Sequence, residues 1–193
     1  MENTELTPEK SFDLINQVIS NARNRIEENG FIYAFWGLLS TATALGQFFL
    51  LKNGYFNINY YPYFIMPLGA IYTGFYFYKK KGGEQNQIGK IIGISWSAIV
   101  LNVFILSFLL AGTMKENLIP ILLVLLGIGT IISGGATKTR LILFSGIILN
   151  LAGLLCFNVT WIYQSLLLGI TCAIAILVPG IILMAGQKNK QNV

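Results

Sequence analysis

The sequence contains no histidine, and all eight of its carboxylates lie outside its long apolar runs. A hydrolase, an intramembrane protease or a metal centre needs a general base, a carboxylate pair or a set of His and Cys ligands held close together. None of these sets can be assembled inside the runs, where a proton-driven pump also normally places ionisable residues. The sequence therefore predicts a protein that is not an enzyme and that uses no metal and no cofactor.

Charge is also scarce, since 11% of the residues are charged and 54% are hydrophobic. Six runs contain no Asp, Glu, Lys or Arg, and their lengths suit helices that cross the roughly 30 Å hydrocarbon layer of a bilayer. These runs are 31–51, 60–78, 91–112, 118–135, 141–157 and 162–185. They lack the alternation of apolar and polar residues that is typical of the strands of a membrane β-barrel. The sequence thus predicts an all-α, polytopic membrane domain over residues 31–186, with six transmembrane helices in contact with lipid.

Basic residues are distributed unequally between the two sides of these runs. Eleven Lys and Arg residues lie in residues 1–30, in the loops after the second and fourth runs and in residues 187–193, whereas the other side has only Lys52 and Lys115. The positive-inside rule then places both termini in the cytoplasm. The same distribution explains the net charge of +5 without a nucleic-acid partner. The basic run 79–81 can help to set this orientation. Alternatively, it can form a site for an anionic lipid head group.

Residues 1–30 have the pattern of an amphipathic cytoplasmic helix. Apolar residues recur there at spacings of three and four, which places them on one helix face: Phe12, Ile15, Ile19, Ala22 and Ile26. This candidate contact face can dock on the cytoplasmic ends of the spans, bind a membrane or cytoplasmic partner protein, form a homodimer or lie on lipid. The segment is not Lys- and Arg-rich, as surface-bound helices usually are, which argues against lipid.

Two patterns indicate how the spans are arranged. Residues 96–103 align without gaps with residues 144–151, sharing Ser, Ile, Leu and Asn at four positions, which suggests three helical hairpins in the same orientation. Pairs of small residues four positions apart let helix backbones approach closely; they are Ala42/Gly46, Ala70/Gly74, Gly89/Gly93, Thr130/Gly134 and Gly169/Ala173. Aromatic residues near the ends of the spans, including Tyr33, Trp36, Tyr63 and Trp96, are interpreted as interfacial anchors.

Neutral polar side chains are the remaining candidates for a functional site. Those within the apolar runs are Asn102, Asn150, Ser97, Ser145 and Gln47. They can line a path for a neutral or amphipathic solute, or they can form hydrogen bonds between helices.

Two prolines interrupt the spans, and each is followed closely by a glycine. The pairs are Pro67 with Gly69 and Pro179 with Gly180. Proline removes a backbone donor and kinks a helix, and broken helices form the substrate sites of some transporters. A tolerated kink is the alternative interpretation of both pairs.

Three segments resemble a family of small, uncharacterised multi-pass inner-membrane proteins from Bacteroidetes-type bacteria: residues 31–37 (FIYAFWG), 132–135 (ISGG) and 178–180 (VPG). The three-hairpin outline is also similar to that of HdeD-like proteins. The resemblance implies a bacterial inner membrane and no particular activity. From the uncharged spans and the amphipathic N-terminal segment, we expect an accessory, sensory or regulatory bundle that works with a partner. The alternative is a small channel or carrier for a neutral, amphipathic or lipophilic solute.

Overall fold

The computed structural model describes residues 13–19, 30–79 and 87–191. The described chain is helical throughout, apart from short turns and loops. Its α-helices are α1 (13–19), α2 (Gly30–Lys52), α3 (Met66–Lys79), α4 (Gln87–Phe104), α5 (Ala111–Met114), α6 (Leu118–Ala136), α7 (Arg140–Cys156), α8 (Trp161–Cys172) and α9 (Val178–Gln191). The all-α prediction is confirmed for this part of the chain.

Four helical segments are long and apolar enough to cross a membrane: Gly30–Lys52, Gln87–Leu109, Ala111–Ala136 and Trp161–Gly186. The remaining two apolar runs also form helices, but α7 has 17 residues and α3 has 14. A 3₁₀ turn, Tyr61–Ile65, precedes α3. Pro67 is the second residue of α3, where its missing N–H disturbs no helical hydrogen bond. Each predicted span therefore overlaps a helix, and four of them meet the length and composition of a membrane span.

Two π-helical segments interrupt the regular pattern of α-helical hydrogen bonds. One, Ile105–Leu109, follows α4, and the other, Ala173–Leu177, joins α8 to α9. The second ends directly before the Val178-Pro179 pair. A proline ring clashes with the carbonyl four residues earlier in a regular α-helix, and a wider turn relieves that clash. The predicted interruption at Pro179 thus takes the form of a π segment inside one continuous helix.

The helices pack as two antiparallel pairs whose backbones touch at glycines. Helix α6 packs along α7, and α2 packs along α8 and α9. A Cβ atom added at Gly127 would lie 2.7 Å from the backbone nitrogen of Asn150 in α7. A Cβ atom added at Gly180 would lie 2.7 Å from the Cα atom of Ala34 in α2. Real Cβ atoms essentially never come that close, so these glycines are required for the helix spacing.

The two pairs meet through α8, which contacts both α6 and α7. The buried core at this meeting point comprises Ala44, Leu123, Leu149, Cys156, Leu168, Cys172 and Ala175. Both cysteines are free and buried. Helix α3 lies against α2 at one edge of the bundle, and α4 lies against α6 at another.

A glycine-to-alanine comparison tests this packing. In Gly37→Ala the new methyl group would lie 2.5 Å from the Cα atom of Leu177, whereas Gly135→Ala meets nothing within 4 Å. We expect Gly37→Ala to lower the free energy of unfolding by about 1–3 kcal/mol because the core becomes overpacked. Gly135→Ala should leave it unchanged or raise it by up to about 1 kcal/mol, since alanine favours helix. Unfolding by dodecyl sulfate in mixed micelles measures the unfolding free energy of both variants. Equal changes for Gly37→Ala and Gly135→Ala would contradict the close helix contact at Gly37.

Candidate functional site

A tryptophan–hydroxyl contact joins α2 to α3. The indole N–H of Trp36 donates a hydrogen bond to the Thr73 hydroxyl at 3.0 Å. That hydroxyl donates in turn to the carbonyl of Gly69 at 2.9 Å. Gly69 is buried, and a Cβ atom there would lie 2.7 Å from Leu39 Cδ2. The four residues therefore form one contact that holds α3 against α2.

The same contact recurs between α4 and α6. The indole N–H of Trp96 donates to the Ser133 hydroxyl at 2.9 Å, and this hydroxyl donates to the carbonyl of Gly129 at 2.9 Å. A Cβ atom on Gly129 would lie 2.5 Å from Ile99 Cδ1. Each residue follows its counterpart by 60 positions, as the pairs Trp36/Trp96, Leu39/Ile99, Gly69/Gly129 and Thr73/Ser133 show. The chain thus contains a structural repeat of 60 residues that the sequence comparison of residues 96–103 with 144–151 does not include.

Ser133 is fully buried. Its hydroxyl joins an indole from α4 to the backbone of α6. In a bilayer, such interhelical hydrogen bonds help to hold helices together because lipid offers no competing partner.

A second polar cluster lies at the other end of α2. The Gln47 amide N–H donates to the side-chain oxygen of Asn59 at 2.9 Å, and its carbonyl accepts from the Tyr63 hydroxyl at 3.0 Å. The Asn59 amide also donates to the backbone carbonyl of Phe56. Both halves of the Gln47 amide are therefore used to fix the loop between α2 and α3, which is a structural task.

The two asparagines of the predicted pathway are not brought together. Asn150 is half-buried between α7 and α6, where its amide donates to the carbonyl of Val124 at 3.5 Å. Asn102 is exposed on α4, and its amide donates to Ala98 of its own helix. The serines behave similarly, since Ser145 is buried, Ser97 is exposed, and each donates to a carbonyl four residues earlier.

The glycines of the predicted kinks lie at close helix contacts. Gly69 faces Leu39 and Gly180 faces the backbone of Ala34, so both are packing residues. Of the predicted amphipathic face, Ile15 is 56% exposed and Ile19 is partly exposed. The other three members, Phe12, Ala22 and Ile26, lie outside the described residues, as does most of the predicted cytoplasmic helix.

The side chains of these clusters are neutral, and the contacts that they make are hydrogen bonds. In residues 13–19, 30–79 and 87–191, no group of three or more His, Cys, Asp or Glu side chains is placed to hold a metal ion. Within the same ranges, every buried side-chain nitrogen or oxygen has a hydrogen-bond partner. The clusters described above therefore join helices and loops.

Three aromatic residues that are interpreted from the sequence as interfacial anchors take part in these contacts: Trp36, Tyr63 and Trp96. Their polar atoms form hydrogen bonds with other helices or loops. The signal that identifies the two tryptophans is the glycine and hydroxyl pair that follows each one at the same distance, Gly69 with Thr73 and Gly129 with Ser133.

Comparison with known proteins identifies no relative. No family model, no curated protein and no solved structure gives a significant match to this chain.

Removal of the Ser133 hydroxyl tests its role between the helices. Ser133→Ala leaves the Trp96 indole without its acceptor. We therefore expect a loss of about 1–2 kcal/mol in unfolding free energy. The matched change Ser97→Ala removes a hydroxyl that is exposed and bonded only within α4, and it should have little effect. Unfolding in mixed micelles checks both variants; no difference between them would show that the contact adds nothing to stability.

Proposed function

We propose that this chain is a six-span protein of the bacterial inner membrane, with both termini in the cytoplasm, and that it works by binding a partner protein. It carries out no reaction of its own and serves an accessory, sensory or regulatory role. The four apolar helices support membrane insertion. The distribution of Lys and Arg supports the orientation.

The exposed apolar surface of α1 is the observation that carries this proposal. Leu14 and Ile15 are each 56% exposed, although they belong to the segment whose apolar residues follow a helical period. A helix in water gains stability when such side chains are covered. We infer that a partner protein covers them.

The interior of the bundle favours this function over transport. The contacts between α6 and α7, and between α2 and α9, are backbone contacts that leave no space for a side chain at Gly127 or Gly180. The amides that would mark a solute path face in different directions, since Asn150 contacts α6 and Asn102 faces outwards. No contact in the described residues therefore favours the alternative of a small channel or carrier.

The absence of candidate catalytic groups supports a role without chemistry. The carboxylates of the sequence lie outside the six apolar runs, and the chain has no histidine. Acid–base and nucleophilic mechanisms require such groups at hydrogen-bonding distance from one another. The resemblance of residues 31–37, 132–135 and 178–180 to multi-pass inner-membrane proteins agrees with this proposal and names no substrate.

A quantitative pull-down tests the partner role of the amphipathic segment. The full chain, a form lacking residues 2–29, and the point variants Ile15→Lys and Asn16→Lys are recovered from membranes in mild detergent. Both point variants add one positive charge at an exposed position of α1, but only Ile15→Lys alters the apolar face. We expect the same neighbours with Asn16→Lys as with the full chain, several-fold less with Ile15→Lys, and none with the truncated form.

Equal recovery of the same neighbours by all four forms would contradict a partner role for this segment. Immunoblotting of the membrane fraction controls for the amount and insertion of each variant, so that loss of a neighbour cannot be attributed to loss of the protein.

A further inference from the structure

The connection between α2 and α3 turns back at the end of α2. The backbone N–H of Tyr55 donates to the carbonyl of Leu50 at 2.9 Å. Gly54 has a φ of 82°, the left-handed conformation that glycine commonly adopts where a helix ends. The chain therefore changes direction directly after Lys52.

The returning chain packs beside α2. The Gln47 amide donates to the side-chain oxygen of Asn59 at 2.9 Å and accepts from the Tyr63 hydroxyl at 3.0 Å. A Cβ atom added at Gly46 would lie 3.3 Å from Cγ of Pro62. The 3₁₀ turn Tyr61–Ile65 is thereby held against the side of α2 at Gly46 and Gln47.

The level of this contact along α2 places it inside the lipid layer. Helix α2 is one of the segments long and apolar enough to cross a membrane, and Lys52 is its charged residue. Gln47 precedes Lys52 by five residues, which is about 7.5 Å along a helix. A lysine near the end of a span extends to the lipid head groups. The 3₁₀ turn beside Gln47 therefore lies below the head groups, near the start of the acyl chains.

Three aromatic rings of this segment face away from the bundle. Tyr63 is partly buried against the core, whereas Tyr60, Tyr61 and Phe64 are 51%, 54% and 57% exposed. The centroids of these three rings lie between 5.2 and 6.1 Å apart. Positions three apart share a face of a 3₁₀ helix, as Tyr61 and Phe64 do. Tyr60, Tyr61 and Phe64 form the outer aromatic cluster.

The length of α3 also requires the 3₁₀ turn to lie in the membrane. Helix α3 has 14 residues and is about 21 Å long, less than the roughly 30 Å hydrocarbon layer. The turn before it adds about 10 Å, since a 3₁₀ helix rises about 2 Å per residue. Residues 53–78 contain no charged side chain that would hold them in water. The second apolar run thus reaches across the layer only when the 3₁₀ turn lies within it.

We propose that residues 55–65 lie in the membrane, at the boundary between the head groups and acyl chains of the leaflet at the Lys52 end of α2. The outer aromatic cluster contacts phospholipid directly. Tyrosine suits this depth because its ring is apolar and its hydroxyl can bond to water or head groups. This inference rests on the membrane crossing of α2 that is part of the proposed function, and it does not depend on the partner proposed for α1.

The depth of a spin label tests this placement. Nitroxide labels are attached in separate variants to Tyr61→Cys and Phe64→Cys and, as references, to Leu38→Cys and Glu116→Cys. Leu38 is exposed on the side of α2 away from either end, and Glu116 is exposed in the connection before α6. The unmodified chain is the labelling control, because both of its cysteines are buried. In bilayers, dissolved oxygen collides with labels in lipid, whereas a water-soluble nickel chelate collides with labels in water.

We expect the ratio of oxygen to nickel collisions at positions 61 and 64 to be several-fold above that at Glu116→Cys and to approach that at Leu38→Cys. A ratio equal to that at Glu116→Cys places the cluster in water and overturns the proposal. Low collision rates with both reagents also overturn it, because a protein then covers the cluster. Nickel collisions at Leu38→Cys would show that α2 itself does not cross, which overturns the proposed function as well.

A photoreactive phospholipid gives a measurement without substitutions. Its diazirine group is placed near the start of the acyl chain, and the labelled residues of the unmodified chain are identified by mass spectrometry. We expect labelling within residues 60–64. Labelling of other exposed apolar residues with none in residues 55–65 contradicts the proposed lipid contact.

Discussion

Close approach of helix backbones at glycine is the constraint on which the rest of this structure depends. Between helices in lipid there is no hydrophobic driving force, since the lipid tails are as apolar as leucine, and association relies on packing and on interhelical hydrogen bonds. Gly37 and Gly180 let α2 approach α9 and the π segment before it, and Gly127 and Gly134 let α6 approach α7. Larger side chains at these positions would separate the pairs and open the core that lies between them.

The arrangement of the buried polar side chains also depends on close contact between the helices. A buried polar atom without a partner is costly, and in the described chain each buried side-chain nitrogen or oxygen has one. The Ser133 hydroxyl accepts from Trp96 and donates to the backbone of its own helix. Gln47 uses both ends of its amide. Polar side chains placed in this way stabilise a filled bundle. Such an interior agrees with the proposed role in binding a partner protein.

The sequence predicts the helical class and the approximate extent of each helix because an apolar run of sufficient length has few other structures available in lipid. It does not predict which helices become neighbours. Asn102 and Asn150 occupy the same motif, yet Asn150 contacts α6 while Asn102 is exposed, since α7 lies inside the bundle and α4 at its edge.

The contacts of individual glycines and of the tryptophan side chains also cannot be predicted from the sequence. Gly74 and Gly134 belong to similar small-residue pairs, but only Gly134 meets another helix. The indole N–H groups of Trp36 and Trp96 have specific acceptors, which a general preference of aromatic residues for the membrane interface does not reveal. Such contacts depend on the order of the helices in space, and this order is set by pairwise packing that the hydropathy of single runs does not encode.

The number of membrane crossings is the most direct test of the account. If all six runs cross, Glu116 lies outside and Lys138 lies in the cytoplasm. If only the four long segments cross, and α3 and α7 do not, the two positions exchange sides. Labelling Glu116→Cys and Lys138→Cys with a membrane-impermeant maleimide in intact spheroplasts distinguishes the two arrangements, because the native cysteines are buried. We expect Glu116→Cys to be labelled and Lys138→Cys to require permeabilisation; the opposite result would contradict the six-span bundle and its three hairpins.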